Sequence, residues 1–167
     1  MRVGILLAGL AAGMALSSPG SGLAQPARFA PGQSNYIEFC GGCHGLNGVS
    51  APARVPELKG QVGHFLCTPA GRAYLIRLPN VSHAPVVEAG ELAELMNFVV
   101  FGLGGRSAPK GAAPYTASEV ERLRRTPIKP GAQLLSERQK IVAELVRRCG
   151  APPSLGDYNR DMAKPAY

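Results

Sequence analysis

Cys40-Gly41-Gly42-Cys43-His44 constrains what this chain can fold into more than any other stretch of it. Two thiols three residues apart, followed at once by an imidazole, form the C-x-x-C-H pattern at which a c-type haem is attached. The spacing has a chemical reason. Each thiol can form a thioether to one of the two vinyl groups of a single haem, and the next residue, His44, is then placed under the iron as proximal ligand. Gly41 and Gly42 let the backbone pass close to the porphyrin edge with no side chain in the way. Two other chemistries fit less well. A thioredoxin-like pair opens a helix after a buried strand, whereas Ser34 to Phe39 reads as a short amphipathic helix with Tyr36, Phe39 and Cys40 on one face. A zinc knuckle needs two further ligands at matching spacing, and the sequence has none.

The N-terminus agrees with that chemistry. Arg2 is followed by an apolar run from Val3 to Leu16, a turn-forming stretch from Ser17 to Gly22, and small residues Gly22 and Ala24 before a cleavage point. This is the pattern of a secretory leader over residues 1–24. An uncleaved anchor is the alternative, but the run is short for a bilayer span of about 20 residues. No other segment is apolar enough to cross a membrane, so no stable span is expected once the leader is gone. The expected compartment is oxidising and outside the cytoplasm, the periplasm of a bacterium.

Composition enters through the core and the charge. There is no Trp, and Phe and Tyr number five each. A domain of about 80 residues has a marginal core, and a covalently held macrocycle would supply apolar surface that these side chains do not. Residues 25–100 carry five basic and five acidic side chains, whereas residues 101–167 carry 12 basic and six acidic ones. The reading is a neutral working domain over 25–105 and a basic helical extension over 106–167 that meets something acidic, or that is merely a solvated surface. Nucleic acid is not an expected partner of an exported chain.

From residue 33 to 103 the sequence resembles the small class I mono-haem cytochromes c. CGGCH is followed by Gly45-Leu46-Asn47-Gly48, similar to the glycine-bearing turn of that family, and Pro56 stands twelve residues past His44. The resemblance implies that the Pro56 carbonyl accepts the Nδ1 hydrogen of the proximal His44, fixing the ring and raising its basicity; Pro52 is the other candidate. Glu88 to Phe101 (EAGELAELMNFVVF) resembles the family's last helix, and Phe98 the aromatic that packs it on the first one. RAYLIRLPNVSHAPVVEAGELAELMNFVV is also similar to a subgroup of proteobacterial cytochromes c with a basic C-terminal extension. The implied fold is all-α: a small helical domain around one covalent haem c, plus a C-terminal helical extension.

The sixth iron ligand departs from the family pattern, which has a Met in the loop before the last helix. Here that loop reads Val81-Ser82-His83-Ala84-Pro85-Val86, and His83 stands where a distal ligand is expected. Met96 is the runner-up, although within its helix it also reads as an adaptable core residue. His64, Met162 and an open position complete the set. The choice bears on the potential, since an axial Met raises it relative to a second His. Cys67 and Cys149 remain. In an oxidising compartment an even pair is most simply a disulfide, tying the extension to the haem domain; two buried free thiols are the alternative.

The rest is organisation. Gly102 to Gly105 ends the last core helix, 107–114 is a linker, and Thr116 with Glu119 forms a capping box for a short helix to Arg125. Ser136 to Arg148 is a second helix, and 150–167, with Pro152, Pro153 and Pro165, is extended or disordered. A short strand is possible at Ala73 to Leu78. The expected function is electron transport: a non-enzymatic periplasmic carrier of single electrons, with a dehydrogenase or a terminal acceptor as partner. The rivals are a five-coordinate haem that binds O2, NO or peroxide, and a tightly bound subunit of a larger oxidoreductase docked through Arg122, Arg124, Arg125, Arg147 and Arg148.

Overall fold

The structure is a computed structural model and describes residues 29–50 and 55–158. The expected leader, Pro52 and Met162 lie outside the described residues. Within them every regular element is a helix.

Helix α1 (Gln33–Phe39) starts after Gly32, whose φ of 74° suits a residue without a side chain. A Cβ there would run into the backbone of Glu94 and Leu95, so the start of α1 rests directly on α5 (Ala89–Asn97). Tyr36 is fully buried at this crossing, its ring 5.5 Å from that of Phe98. After Cys40 a single turn, α2 (Gly41–His44), carries the rest of the motif. Helix α5 continues as a π-helical stretch, Phe98–Leu103, and a 3-10 turn, Gly105–Ser107. That turn packs on the 3-10 helix Val62–Cys67 through Gly63, where a Cβ would overlap Ala108 N.

Residues 73–78 correct one expectation. Residues 73–77 belong to α3 (Pro69–Arg77) rather than to a strand, and Leu78 caps its C-terminal end. The decisive signal is just upstream. Thr68 accepts a hydrogen bond from Gly71 N at 3.1 Å, and Pro69 occupies the first helical position, where its missing N–H costs nothing. A short turn, α4 (Pro79–Ser82), follows.

The extension folds against the rest rather than beside it. Helix α6 (Ala117–Arg124) is capped by Thr116, which accepts from Glu119 N at 3.2 Å, and α7 spans Ala132–Cys149. Tyr115, Val120, Leu123, Ile128, Ile141, Val142 and Leu145 are buried in the same core as α3 and α5. Two arginines of α3 grip the extension. Arg72 makes a two-pronged pair with Glu119 (2.6 and 2.7 Å) and donates to the carbonyls of Ala113 and Pro114. Arg77 donates to Thr126 O at 2.8 Å and pairs with Glu137. In return Arg124 donates to Val87 O at 3.0 Å and leans on Ser82 O and Val86 O. Of the segment expected to be extended or disordered, Pro153–Gly156 forms a 3-10 turn after an extended Pro152, with Ala151 and Leu155 buried, and 159–167 lie outside the described residues.

This packing changes the reading of the basic excess. Of the five arginines expected to dock a partner, Arg124 is spent on the 82–87 loop, while Arg125 and Arg148 pair with Glu121 and Glu144 one helical turn away. Cys67 and Cys149, each at the end of its helix, have Cα atoms 6.3 Å apart, within the span that a disulfide takes.

Candidate functional site

The C-x-x-C-H turn forms because two backbone bonds run back to one carbonyl: Cys43 N and His44 N both donate to Cys40 O, at 3.2 and 2.9 Å. One helical turn therefore brings both thiols and the imidazole to the same end of α1. Gly45 leaves the turn at φ 70°, and the Tyr36 hydroxyl donates to Gly45 O at 2.5 Å, pinning the turn to α1. Neither Cys40 nor Cys43 is in a disulfide; Cys43 is exposed and Cys40 half-buried.

His44 Nδ1 lies 3.0 Å from Pro56 O. A carbonyl only accepts, so Nδ1 carries the hydrogen and Nε2 keeps its lone pair. Burial holds the His44 pKa below its ordinary value, with the Pro56 contact opposing it, so the ring is neutral near pH 7. Ser50 Oγ donates to the same carbonyl at 3.0 Å and steadies it. Burial likewise raises the Cys40 thiol, helped by the neighbouring Cys43.

Cys40 and His44 line an apolar cleft whose walls come from distant segments of the chain: Tyr36 of α1, Val62 and Phe65, Leu75 of α3, Leu95 and Met96 of α5, and Leu134 of α7. Three residues of α4, Pro79, Asn80 and Val81, close one side. The cleft fits a c-type haem by its chemistry. It pairs the unbonded Cys40 thiol with a neutral imidazole, a large apolar lining and, at one end, the buried cation Arg138, and the second unbonded thiol, Cys43, lies outside the lining in the same helical turn. Among the described residues no cluster of three or more His, Cys, Asp or Glu is placed to hold a bare metal ion.

The two distal candidates fall in different places. Met96 is buried in the cleft wall. His83 is not on that wall. It is exposed, two residues past Val81, at the C-terminal end of α4, because its Nδ1 lies 3.0 Å from Pro79 O and 3.1 Å from Ser82 Oγ. His64 is half-buried and absent from the lining.

No family model matches the chain, and no solved structure matches it either. Two curated relatives do, both named cytochrome c-552 and both from Thermus thermophilus. One is 31% identical over 129 residues, covering 67% of this chain and 97% of the relative. The other is 32% identical over 129 residues, covering 67% of this chain and 86% of the relative. The chain belongs to the cytochrome c family. As a cytochrome c it is a c-type electron carrier built for haem c, and its all-helical fold is of the expected kind. Among the described residues no helix is long and apolar enough to cross a membrane.

One cytochrome c residue went unread in the sequence. Arg138 sits on the cleft wall, 5% exposed. A signal for it exists: Arg138, Ile141, Val142 and Leu145 share one helical stripe, so Arg138 occupies an apolar position of α7.

Proposed function

We propose that the chain is an exported cytochrome c that carries one covalent haem and passes single electrons between a periplasmic dehydrogenase and an acceptor. In this reading Cys40 and Cys43 form the two thioethers and His44 is the proximal ligand. The observation that carries it is the joint position of Cys40 and His44 on one apolar cleft, with His44 Nδ1 engaged by Pro56 so that Nε2 is the coordinating atom. The bound group supplies a one-electron Fe(III)/Fe(II) couple. The chain excludes water from it with Val62, Phe65, Leu75 and Leu95, and orients His44 through Pro56 and Ser50. Preorganised packing of this kind leaves little to rearrange between oxidation states. Exposed Phe39, Leu46 and Val49 flank the motif and offer apolar surface for the small, short-lived contacts that redox partners use. Cys67 and Cys149 are joined in this reading, as the leader and its oxidising destination imply.

His83 is the sixth ligand in this proposal. Its Nδ1 is engaged by a proline carbonyl as that of His44 is, which leaves its Nε2 for the metal. Its exposure favours a second reading, an open sixth position that binds a small ligand. Optical spectra decide between them. Protein matured in a host that attaches haem should gain the mass of one haem, be low-spin, and ignore CO when reduced. His83→Ala should turn it high-spin and CO-reactive. A CO-reactive wild type supports the second reading, and a matured protein without added mass at Cys40 and Cys43 refutes both.

A further inference from the structure

The 82–87 loop joins α4 to α5 as an arch. Its feet are inside: Ser82 and Val86 are 5% and 3% exposed. Its crown, with His83 and Pro85, is exposed. The crown is stiff for local reasons. Pro85 fixes its own φ and holds Ala84 out of the helical region, while His83 N and Ala84 N donate to Pro79 O and Val81 O, at 3.1 Å each. What the loop itself leaves unset is how its two feet sit relative to one another.

A residue of the extension sets them. Arg124 ends α6, four residues after the buried Val120 and so on the same side of the helix. A cation at a helix C-terminus is ordinarily left in water, where it suits the dipole. Here the guanidinium turns inward and spreads over carbonyls on both sides of His83. Nε and Nη2 donate to Ser82 O at 3.3 Å, and Nη1 donates to Val86 O at 3.3 Å and to Val87 O at 3.0 Å. These acceptors stand one residue before His83 and three and four residues after it. A flat fork with five fixed donors can hold three carbonyls at once, which a single ammonium does poorly.

We propose that Arg124 is a positioning residue for the sixth ligand: by pinning both feet of the arch, it sets how firmly His83 holds that place. The inference rests on the reading of His83 above. The His83 ring lies outside the cleft lining, two residues past Val81, which is on it. Serving as a ligand therefore requires the crown to turn on its feet. A tethered ligand competes with a free one through its effective concentration, which falls as the tether loosens. Pinned feet keep the tether short and stiff. The extension thus acts on the sixth position through the backbone of the loop, with no side chain of α6 in the cleft lining.

The test uses full-length protein matured with haem, as wild type, Arg124→Gln, Arg124→Lys, Glu119→Gln and His83→Ala, with CO titrated into the reduced form and followed by its optical spectrum. Arg124→Gln should take up CO at a concentration about tenfold or more below that needed by the wild type, and Arg124→Lys should fall between them. Glu119→Gln loosens the extension at a different grip and should match the wild type. Adding Arg124→Gln to His83→Ala should change nothing further, because the arch then has no ligand to present. A wild-type response from Arg124→Gln overturns the proposal and leaves the His83 reading intact. So does a Glu119→Gln response as large as that of Arg124→Gln, which marks general loosening rather than positioning. Should Arg124→Gln fail to mature, Arg124→Lys decides on the same terms. If His83→Ala itself leaves the spectrum and the CO response unchanged, the His83 reading falls and this proposal falls with it.

Discussion

Replacing Cys67 and Cys149 together by Ser measures how firmly the extension is tied to the haem domain. The two residues are 82 apart in sequence, so a bond between them closes a loop that contains α3 to α7. The chain-entropy relation, −2.1 − 1.5R ln n, gives about 15 cal/mol/K for such a loop, or about 4.5 kcal/mol at 25 °C. Residual structure in the unfolded chain lowers this, and a loss of about 3–4.5 kcal/mol is expected. For a chain of this size that is a fall in Tm of roughly 10–15 °C. The native contacts of α7 should change little, because the burial of Ile141, Val142 and Leu145 comes from apolar packing that the substitutions do not touch. The assay is urea unfolding of matured protein followed by far-UV circular dichroism, which reports the helices rather than the haem. Cys67→Ser alone and Cys149→Ser alone should each cost nearly as much as the pair, since either removes the crosslink. The reasoning fails if the double variant loses less than about 1 kcal/mol, or if the unfolded wild type titrates two more thiols than the variant does.

Glu119→Gln should destabilise the protein by about 1–2 kcal/mol, because a charge-assisted fork on Arg72 becomes a neutral contact. The hydrogen bond from Arg72 holds the Glu119 carboxyl below its ordinary pKa. Its stabilisation is therefore complete above the unfolded value of about 4.3 and fades as pH falls through the lower folded value. Unfolding midpoints measured between pH 3 and 7 should converge for wild type and variant at the acid end; parallel curves would contradict this. Gly32→Ala should cost about 3 kcal/mol or more, since a positive φ and the backbone of Glu94 both stand against a methyl group. Chemical denaturation reads this directly, and a wild-type midpoint would show that α1 does not rest on α5 as described. Tyr36→Phe should cost about 1 kcal/mol through the lost bond to Gly45 O, with a looser C-x-x-C-H turn visible as faster amide exchange at Cys43 and His44.

Local chemistry was legible in the chain; long-range placement was not. C-x-x-C-H is readable because its function needs only five consecutive residues in one helical turn, and Thr116 with Glu119 because a cap spans three. At 73–78 the run Ala-Tyr-Leu-Ile-Arg-Leu looks like a strand on its own. The Thr68 cap and the proline after it make it a helix. The Cys67 and Cys149 pair was reached from parity and compartment, while their 6.3 Å separation comes only from α7 folding back on the 3-10 helix before α3.

Charge was the least legible. Counting twelve basic residues after position 100 suggested an extension that meets something acidic or is a solvated surface. A count does not say which way a side chain points. Tertiary packing turned Arg124 onto the 82–87 loop and buried Arg138 between two rings at the end of the cleft, while α3 held the extension down through Arg72 and Arg77. The motif alone indicated what prosthetic group this protein is built to hold, since C-x-x-C-H is made of neighbours along the chain. The fold decided which cation waits inside the cleft, because burial is a sum over contacts from segments that are far apart in sequence.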